Sequence, residues 1–141
     1  MNQTGPRTAE GKARSASNSL KHGFTAQRHV IPDHLQAEFH QFRADFLAEI
    51  RPRGAMQTLL AERAFHAAWN LRRLEEMESE LMASVPDPLG DEETARKLDR
   101  LSRYHTRHER AYQRAIGELR RLQTDRAPAD AEELSVLVPA A

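Results

Sequence analysis

The chain has 141 residues, and its 21 basic and 21 acidic side chains give a formal net charge of zero at pH 7. It contains no cysteine, which excludes disulfide scaffolds, thiolate metal sites and cysteine catalysis. Runs of about 20 apolar residues and an apolar region after Met1 are both lacking, so we expect one cytoplasmic domain with no membrane span or secretory signal.

The first 30 residues differ from the rest of the chain in charge and composition. They carry five basic residues and one acidic residue, a net charge of +4. Ser, Asn, Gly and Ala dominate, so this basic arm cannot bury much apolar surface, and we expect it to be largely disordered or weakly helical. A short helix over Thr8–His22 fits the sequence, with Thr8 as its N-cap and Gly23 after its end.

Residues 31–126 form the predicted helical domain, which begins with two helices. The first covers about residues 33–51, with Asp33 as its N-cap and with Pro52 and Gly54 at its end. The second covers about residues 55–84. Its apolar residues recur every three or four positions and form one seam along the helix. This seam consists of Met56, Leu60, Ala64, Ala67, Leu71, Leu74 and Leu81.

A connection with two prolines and a glycine, Val85–Gly90, separates the second helix from the third, at about residues 91–126. Because the connection is short, these two long helices should be antiparallel neighbours. The third helix has a seven-residue apolar repeat like that of a coiled coil. Its members are Leu98, Leu101, His105, His108, Tyr112, Ala115, Leu119 and Leu122.

The predicted fold is therefore all-α: a long antiparallel helical hairpin with a shorter helix packed against it, resembling a three-helix bundle with coiled-coil packing. Ala127 and Pro128 should end the third helix. Residues 127–141 carry three acids and no base, and we expect a flexible acidic tail. Both termini are thus predicted to be flexible.

A row of arginines runs along the third helix with the same seven-residue period as the apolar seam, but on roughly the opposite face. We call it the arginine ridge; it consists of Arg96, Arg100, Arg103, Arg107, Arg110, Arg114 and Arg121. A row of guanidinium groups suits a phosphate backbone. The alternative is an ordinary solvated helix face whose arginines pair with nearby acids. Some of those acids would lie one turn away on the third helix. Others would lie on the second helix, at Glu75, Glu76, Glu78 and Glu80.

The basic arm adds four candidate phosphate contacts, at Arg7, Lys12, Arg14 and Lys21. The arm and the ridge together indicate a nucleic-acid-associated accessory protein that binds the phosphate backbone of DNA or RNA. No phosphate-binding loop, dinucleotide fingerprint, zinc-protease motif or serine-nucleophile motif is present, so we expect no enzymatic activity and no cofactor. The alternative function is a helical protein–protein interaction or self-assembly module, including a homo-oligomer.

Two further groups of residues have two interpretations each. His105 and His108 lie three residues apart on the third helix, and a metal ion would need further ligands from another helix. We therefore interpret them as partly buried seam residues and predict no metal site. Trp69, beside Arg72 and Arg73, is either a stacking site for a base or a half-buried residue that packs under the first helix. We favour the second interpretation.

The leader of the chain carries a resemblance to known proteins. Thr4–Ser15 reads TGPRTAEGKARS, and Asn18 and the stretch Lys21–Phe24 continue the pattern. It resembles the TGPRTxEGKxR…N…KHG leader of short, uncharacterised bacterial proteins, some of them from phage-like or mobile-element settings. Similar Lys-His-Gly leaders precede proteins that resemble phage terminase small subunits, which bind DNA. The terminase likeness covers only the leader, and it implies an association with DNA.

Overall fold

The structure, a computed structural model, describes residues 7–13 and 30–137, with side chains in the second range as far as Arg126. Within residues 30–137 a 3₁₀ turn, Asp33–Leu35, precedes three α-helices, and neither described range contains a strand. The helices are α1 (Gln36–Ile50), α2 (Gly54–Ser84) and α3 (Glu92–Leu137). The predicted all-α fold with a long helical hairpin is confirmed. None of these described helices is long and apolar enough to cross a membrane.

The chain divides into two units, Met1–Phe42 and Arg43–Ala141. In the first unit, residues 9–13 are helical and Thr8 caps them, because the Gly11 N–H donates to Thr8 Oγ1 at 3.0 Å. Thr8 therefore has the N-cap role that the sequence predicts. The predicted continuation of this helix towards residue 22 lies outside the described residues.

The beginning of α1 differs from its prediction. Asp33 does not cap the helix but is the first residue of the 3₁₀ turn, which has Pro32 at its N-cap position. The Leu35 N–H donates to the Pro32 carbonyl at 2.9 Å. The physical reason is that a proline with a fixed φ can accept the first hydrogen bond of a turn without needing one for its own nitrogen.

The hairpin connection between α2 and α3 is closed by two acidic residues. The Asp87 carboxylate accepts a hydrogen bond from the Gly90 N–H at 3.1 Å, and its carbonyl accepts from the Asp91 N–H at 3.0 Å. A Cβ at position 90 would collide with the Asp87 carboxylate, so this contact requires glycine. Asp91 is then the N-cap of α3, since its carboxylate accepts from the Thr94 N–H at 2.9 Å.

The end of α3 also differs from its prediction. The helix does not stop at Arg126 but continues to Leu137, through Pro128. Alanine, glutamate and leucine are strong helix formers and make up most of residues 127–137, which offsets the one hydrogen bond that the proline cannot donate. The backbone of residues 127–137 is therefore helical, and residues 138–141 lie outside the described part.

The core of the second unit lies between α2 and α3. Small alanines let the two helices approach closely, and the C-terminal half of α1 packs onto the same cluster. The buried members are Leu60, Ala61, Ala64, Ala115, Ile116 and Leu119, and the side chains packed around them are Phe46, Leu47, Ile50, Tyr112 and Leu122. Six of the fifteen predicted seam residues belong to this cluster: Leu60, Ala64, Tyr112, Ala115, Leu119 and Leu122.

One predicted seam residue is misplaced. Met56 is 63% exposed, while the neighbouring Gln57 is buried. The reason is local: Gln57 folds back over the start of α2, where its Oε1 accepts a hydrogen bond from the Arg53 N–H at 2.8 Å. A free N–H at a helix start needs such a partner, and satisfying it turns Met56 outward.

Candidate nucleic-acid interface

The seven members of the arginine ridge are all exposed on α3. At about 100° per residue they fall within roughly 80° of the helix circumference, facing away from the core. From Arg96 to Arg121 the ridge is about 38 Å long at 1.5 Å per residue. Glu118 lies in the same arc, between Arg114 and Arg121, so the uninterrupted part of the ridge ends at Arg114. The structure thus places the ridge on one solvent-facing surface.

Two ridge arginines form ion pairs one turn away on the same helix. Arg96 pairs with Glu92, and Arg103 Nη2 lies 2.8 Å from Asp99 Oδ2. Both pairs are well exposed to solvent, and such pairs are typically worth less than about 1 kcal/mol. A phosphate can therefore compete for these two arginines at small cost. For Arg96 and Arg103, these pairs match the alternative interpretation, a solvated helix face whose arginines pair with nearby acids.

The other five ridge arginines form no ion pair with any residue in the described part of the chain. They are Arg100, Arg107, Arg110, Arg114 and Arg121. Among the α2 acids, Glu76 pairs with Arg72 at 3.7 Å and with Arg73 at 3.8 Å, both on α2 itself. Among the described residues, no ion pair joins an α2 acid to the ridge.

The basic arm is only partly visible. Arg7 and Lys12 are described, and both are exposed on either side of the Thr8 cap. Arg14 and Lys21 lie outside the described residues. The geometry of the candidate interface is therefore described for the ridge alone.

The two seam histidines are half-buried, as predicted. Burial lowers the pKa of His108, and the positive charges of Arg107 and His105 lower it further. His108 is therefore neutral at pH 7. On the same helix, His105 Nδ1 lies 3.9 Å from Glu109 Oε2. Within the described residues, no group of three histidine, aspartate or glutamate side chains is arranged to hold a metal ion.

Trp69 is 3% exposed, so its ring is not available to stack on a base. The ring is thus buried more deeply than the half-buried position that the sequence predicts. Tyr104 and Tyr112 are half-buried on α3. Proteins that hold single strands by stacking present open aromatic faces beside their basic groove. In the described part of the chain, the ridge therefore presents cationic side chains but has no open aromatic face beside it.

Sequence reasoning missed the cations on the other side of the hairpin. Arg51, Arg53 and Arg63 are exposed around the start of α2. Arg126 of α3 reaches this region, where its Nη1 donates to the Arg53 carbonyl at 3.4 Å. The predicted hairpin could have indicated this contact, because antiparallel pairing of α2 and α3 places residues near 54 beside residues near 126.

The chain matches no protein-family model, no curated protein and no solved structure. The geometry and charge of its own residues are therefore the basis for its function.

Proposed function

We propose that this protein is a non-enzymatic accessory protein that binds the phosphate backbone of nucleic acid through the arginine ridge, with the basic arm adding further contacts. The observation that carries this proposal is the set of five exposed ridge arginines without ion pairs in the described part of the chain. Guanidinium groups bind phosphate in planar, bidentate geometry and remain charged at all physiological pH values.

The proposed binding mode does not read bases. The ridge is a row of cations on a straight helix, and Trp69, the residue best suited to stack on a base, is buried. Contacts to phosphate position a protein on nucleic acid but carry no sequence information. We therefore expect similar affinities for different sequences of the same length and strandedness.

Fluorescence anisotropy with labelled DNA and RNA, over a range of salt concentrations, tests the proposal. If the five unpaired ridge arginines each neutralise one phosphate, log K against log salt has a slope of about −4.5 for a duplex and about −3.5 for a single strand. For a duplex this corresponds to a loss of roughly 500-fold in affinity between 50 and 200 mM salt. Absence of binding at 50 mM salt, or binding that ignores salt, contradicts the proposal.

A matched pair of variants separates the ridge from total charge. Arg114→Gln removes one ridge cation, and Arg120→Gln removes one exposed cation from another face of the same helix. We expect Arg114→Gln to reduce the magnitude of the salt slope by about one and Arg120→Gln to leave it unchanged. Equal losses in both variants would show that net charge, rather than the ridge, attracts the nucleic acid.

A helical protein–protein interaction module is the second candidate, and exposed apolar residues at the hairpin turn favour it. Leu89 is 75% exposed and Met82 is 47% exposed. Exposed apolar side chains that form a contiguous patch often mark a contact with another protein. Association that high salt does not weaken and that Leu89→Ser abolishes would support this candidate over the first.

A further inference from the structure

Folding divides the hairpin into two oppositely charged halves. The half at the hairpin turn, residues 74–99, carries nine acidic and two basic residues, a net charge of −7. We call it the acidic half. Its four α2 acids, Glu75, Glu76, Glu78 and Glu80, are all exposed.

The other half combines two segments that are distant in sequence. Residues 43–73 and 100–126 together carry fourteen basic and six acidic residues, a net charge of +8. The core contacts of Leu60 and Ala64 with Ala115 and Leu119 hold these segments side by side. Gln123 adds a further tie, since its Nε2 donates to the Ile50 carbonyl at 2.9 Å. We call this region the basic half; it contains most of the arginine ridge.

The two halves neutralise each other only at their border, as far as the described residues show. There Glu76 pairs with Arg72 and Arg73, one turn away on α2. Asp99 similarly pairs with Arg103 on α3. Away from the border, Glu75, Glu78 and Glu80 form no ion pair within the described part, and the ridge arginines beyond Arg103 form none either.

We propose that a second copy of this chain docks antiparallel along the hairpin, so that the acidic half of each copy lies against the basic half of the other. The charges of the two halves, −7 and +8, are opposite and nearly equal, which is the complementarity that a self-association surface requires. A two-fold axis satisfies both halves of both copies at once and closes the assembly at two chains.

The chemistry of the contact sets its strength. Each exposed ion pair contributes little, so the dimer depends on several pairs acting together and on the long-range attraction between the halves. Salt shortens this attraction, because the screening length falls from about 10 Å at 0.1 M to about 3 Å at 1 M. The dimer is therefore a low-salt species, and its formation requires no nucleic acid.

Sedimentation velocity of the full-length chain, free of nucleic acid, at salt concentrations from 25 to 500 mM, tests the proposal. The expected result is a concentration-dependent dimer at low salt that dissociates into monomers at high salt. A monomer at 25 mM salt and millimolar concentration would overturn the proposal, and so would growth beyond two chains. Nucleic-acid binding is measured separately, so either proposal can fail without the other.

Two triple variants with the same change in net charge test the position of the acids. Glu75→Gln, Glu78→Gln and Glu80→Gln reduce the net charge of the acidic half from −7 to −4, and they should raise the dimer dissociation constant at least about tenfold. The control neutralises three exposed acids of the basic half, with the substitutions Glu49→Gln, Glu118→Gln and Asp125→Asn. This control should tighten the dimer or leave it unchanged. Equal weakening by both triple variants contradicts the proposal.

A charge exchange provides the second test and controls for folding. One chain carries Glu75→Lys, Glu78→Lys and Glu80→Lys; its partner carries Arg107→Glu, Arg110→Glu and Arg114→Glu. Each variant alone should be monomeric at low salt, because one of its halves is then nearly neutral, at −1 in the lysine variant and +2 in the glutamate variant. A mixture of the two should restore a heterodimer, which requires both chains to be folded. Failure of the mixture to associate, with both chains helical by circular dichroism, overturns the proposal.

Discussion

The two long helices share one interface but have different surroundings. α2 packs on two sides: α3 contacts it through the alanine-rich core, and α1 contacts it through Phe46, whose ring centroid lies 5.8 Å from that of Phe65. α3 packs in this unit along its apolar seam and exposes the ridge on the opposite face. The comparison teaches that α2 mainly supplies stability, whereas α3 has a free face that can carry charge for binding.

The largest expected effect is on α2. Phe65 is fully buried, at 0% exposure, between the helices that pack there. Phe65→Ala should lower the free energy of unfolding by about 3–5 kcal/mol, because it removes buried apolar surface and leaves a cavity. Urea denaturation measures the change. Met56→Ala, on the exposed side of the same helix, is the control and should change stability by less than about 0.5 kcal/mol. Similar losses in both variants would contradict the assigned roles of these two faces.

A smaller effect is expected where α3 supports the end of α1. Gln123 donates to the Ile50 carbonyl, which has no partner within its own helix. Gln123→Ala should reduce the free energy of unfolding by about 1 kcal/mol, the usual net value of one hydrogen bond. Thermal unfolding followed by circular dichroism measures it. No change in the midpoint would show that water replaces the glutamine without loss.

The pH dependence of stability should show a modest slope from two half-buried histidines, His66 and His108. Burial is the main cause that lowers the pKa of His66 and of His108 from the ordinary value of 6.5. Glu62 opposes the shift at His66, while Arg43 adds to it. Below pH 6.5 the unfolded chain binds more protons than the folded one, so stability is highest above this pH and falls as pH decreases.

Urea denaturation at pH 7.5 and at pH 5.5 measures this slope. The double variant His66→Gln/His108→Gln is the control, and its stability should decrease less between the two pH values. If the double variant retains the full slope, other groups cause the pH dependence.

The smallest effect on stability is expected on the ridge. Arg107→Gln/Arg114→Gln changes two exposed side chains without ion pairs in the described part, so the free energy of unfolding should shift by less than about 0.5 kcal/mol. Affinity for nucleic acid should nevertheless fall, and the salt slope should decrease in magnitude by about two for a duplex. Anisotropy and urea denaturation on the same preparation measure both. A loss of stability comparable to that of Phe65→Ala would contradict a free ridge.

The helices and the hairpin turn were predictable because their signals are local. The seven-residue repeat from Leu98 to Leu122 identifies α3, and the two prolines before Gly90 identify the turn. Local competition explains the errors at the ends. Gln57 replaces Met56 in the buried face by capping α2, and strong helix formers carry α3 past Pro128.

The residues of the candidate site could be predicted from the sequence, but whether acidic side chains pair with them could not. The seven-residue period of the arginines places them on one face, and this depends on the geometry of a single helix. Whether acids neutralise that face depends on neighbouring helices, which the sequence does not order in space. The structure shows that Glu76 pairs within α2 and that, in the described part, none of the α2 acids pairs with the ridge.

The sequence by itself determined the helix periods, the turn and the order of charged segments along the chain. Each of these depends on residues a few positions apart. Only the tertiary structure decided that residues 43–73 lie beside residues 100–126 and combine into one basic half, opposite the acidic residues 74–99. Burial of Leu60, Ala64, Ala115 and Leu119 against one another fixes that arrangement, because removing their apolar surface from water sets the pairing of the two helices.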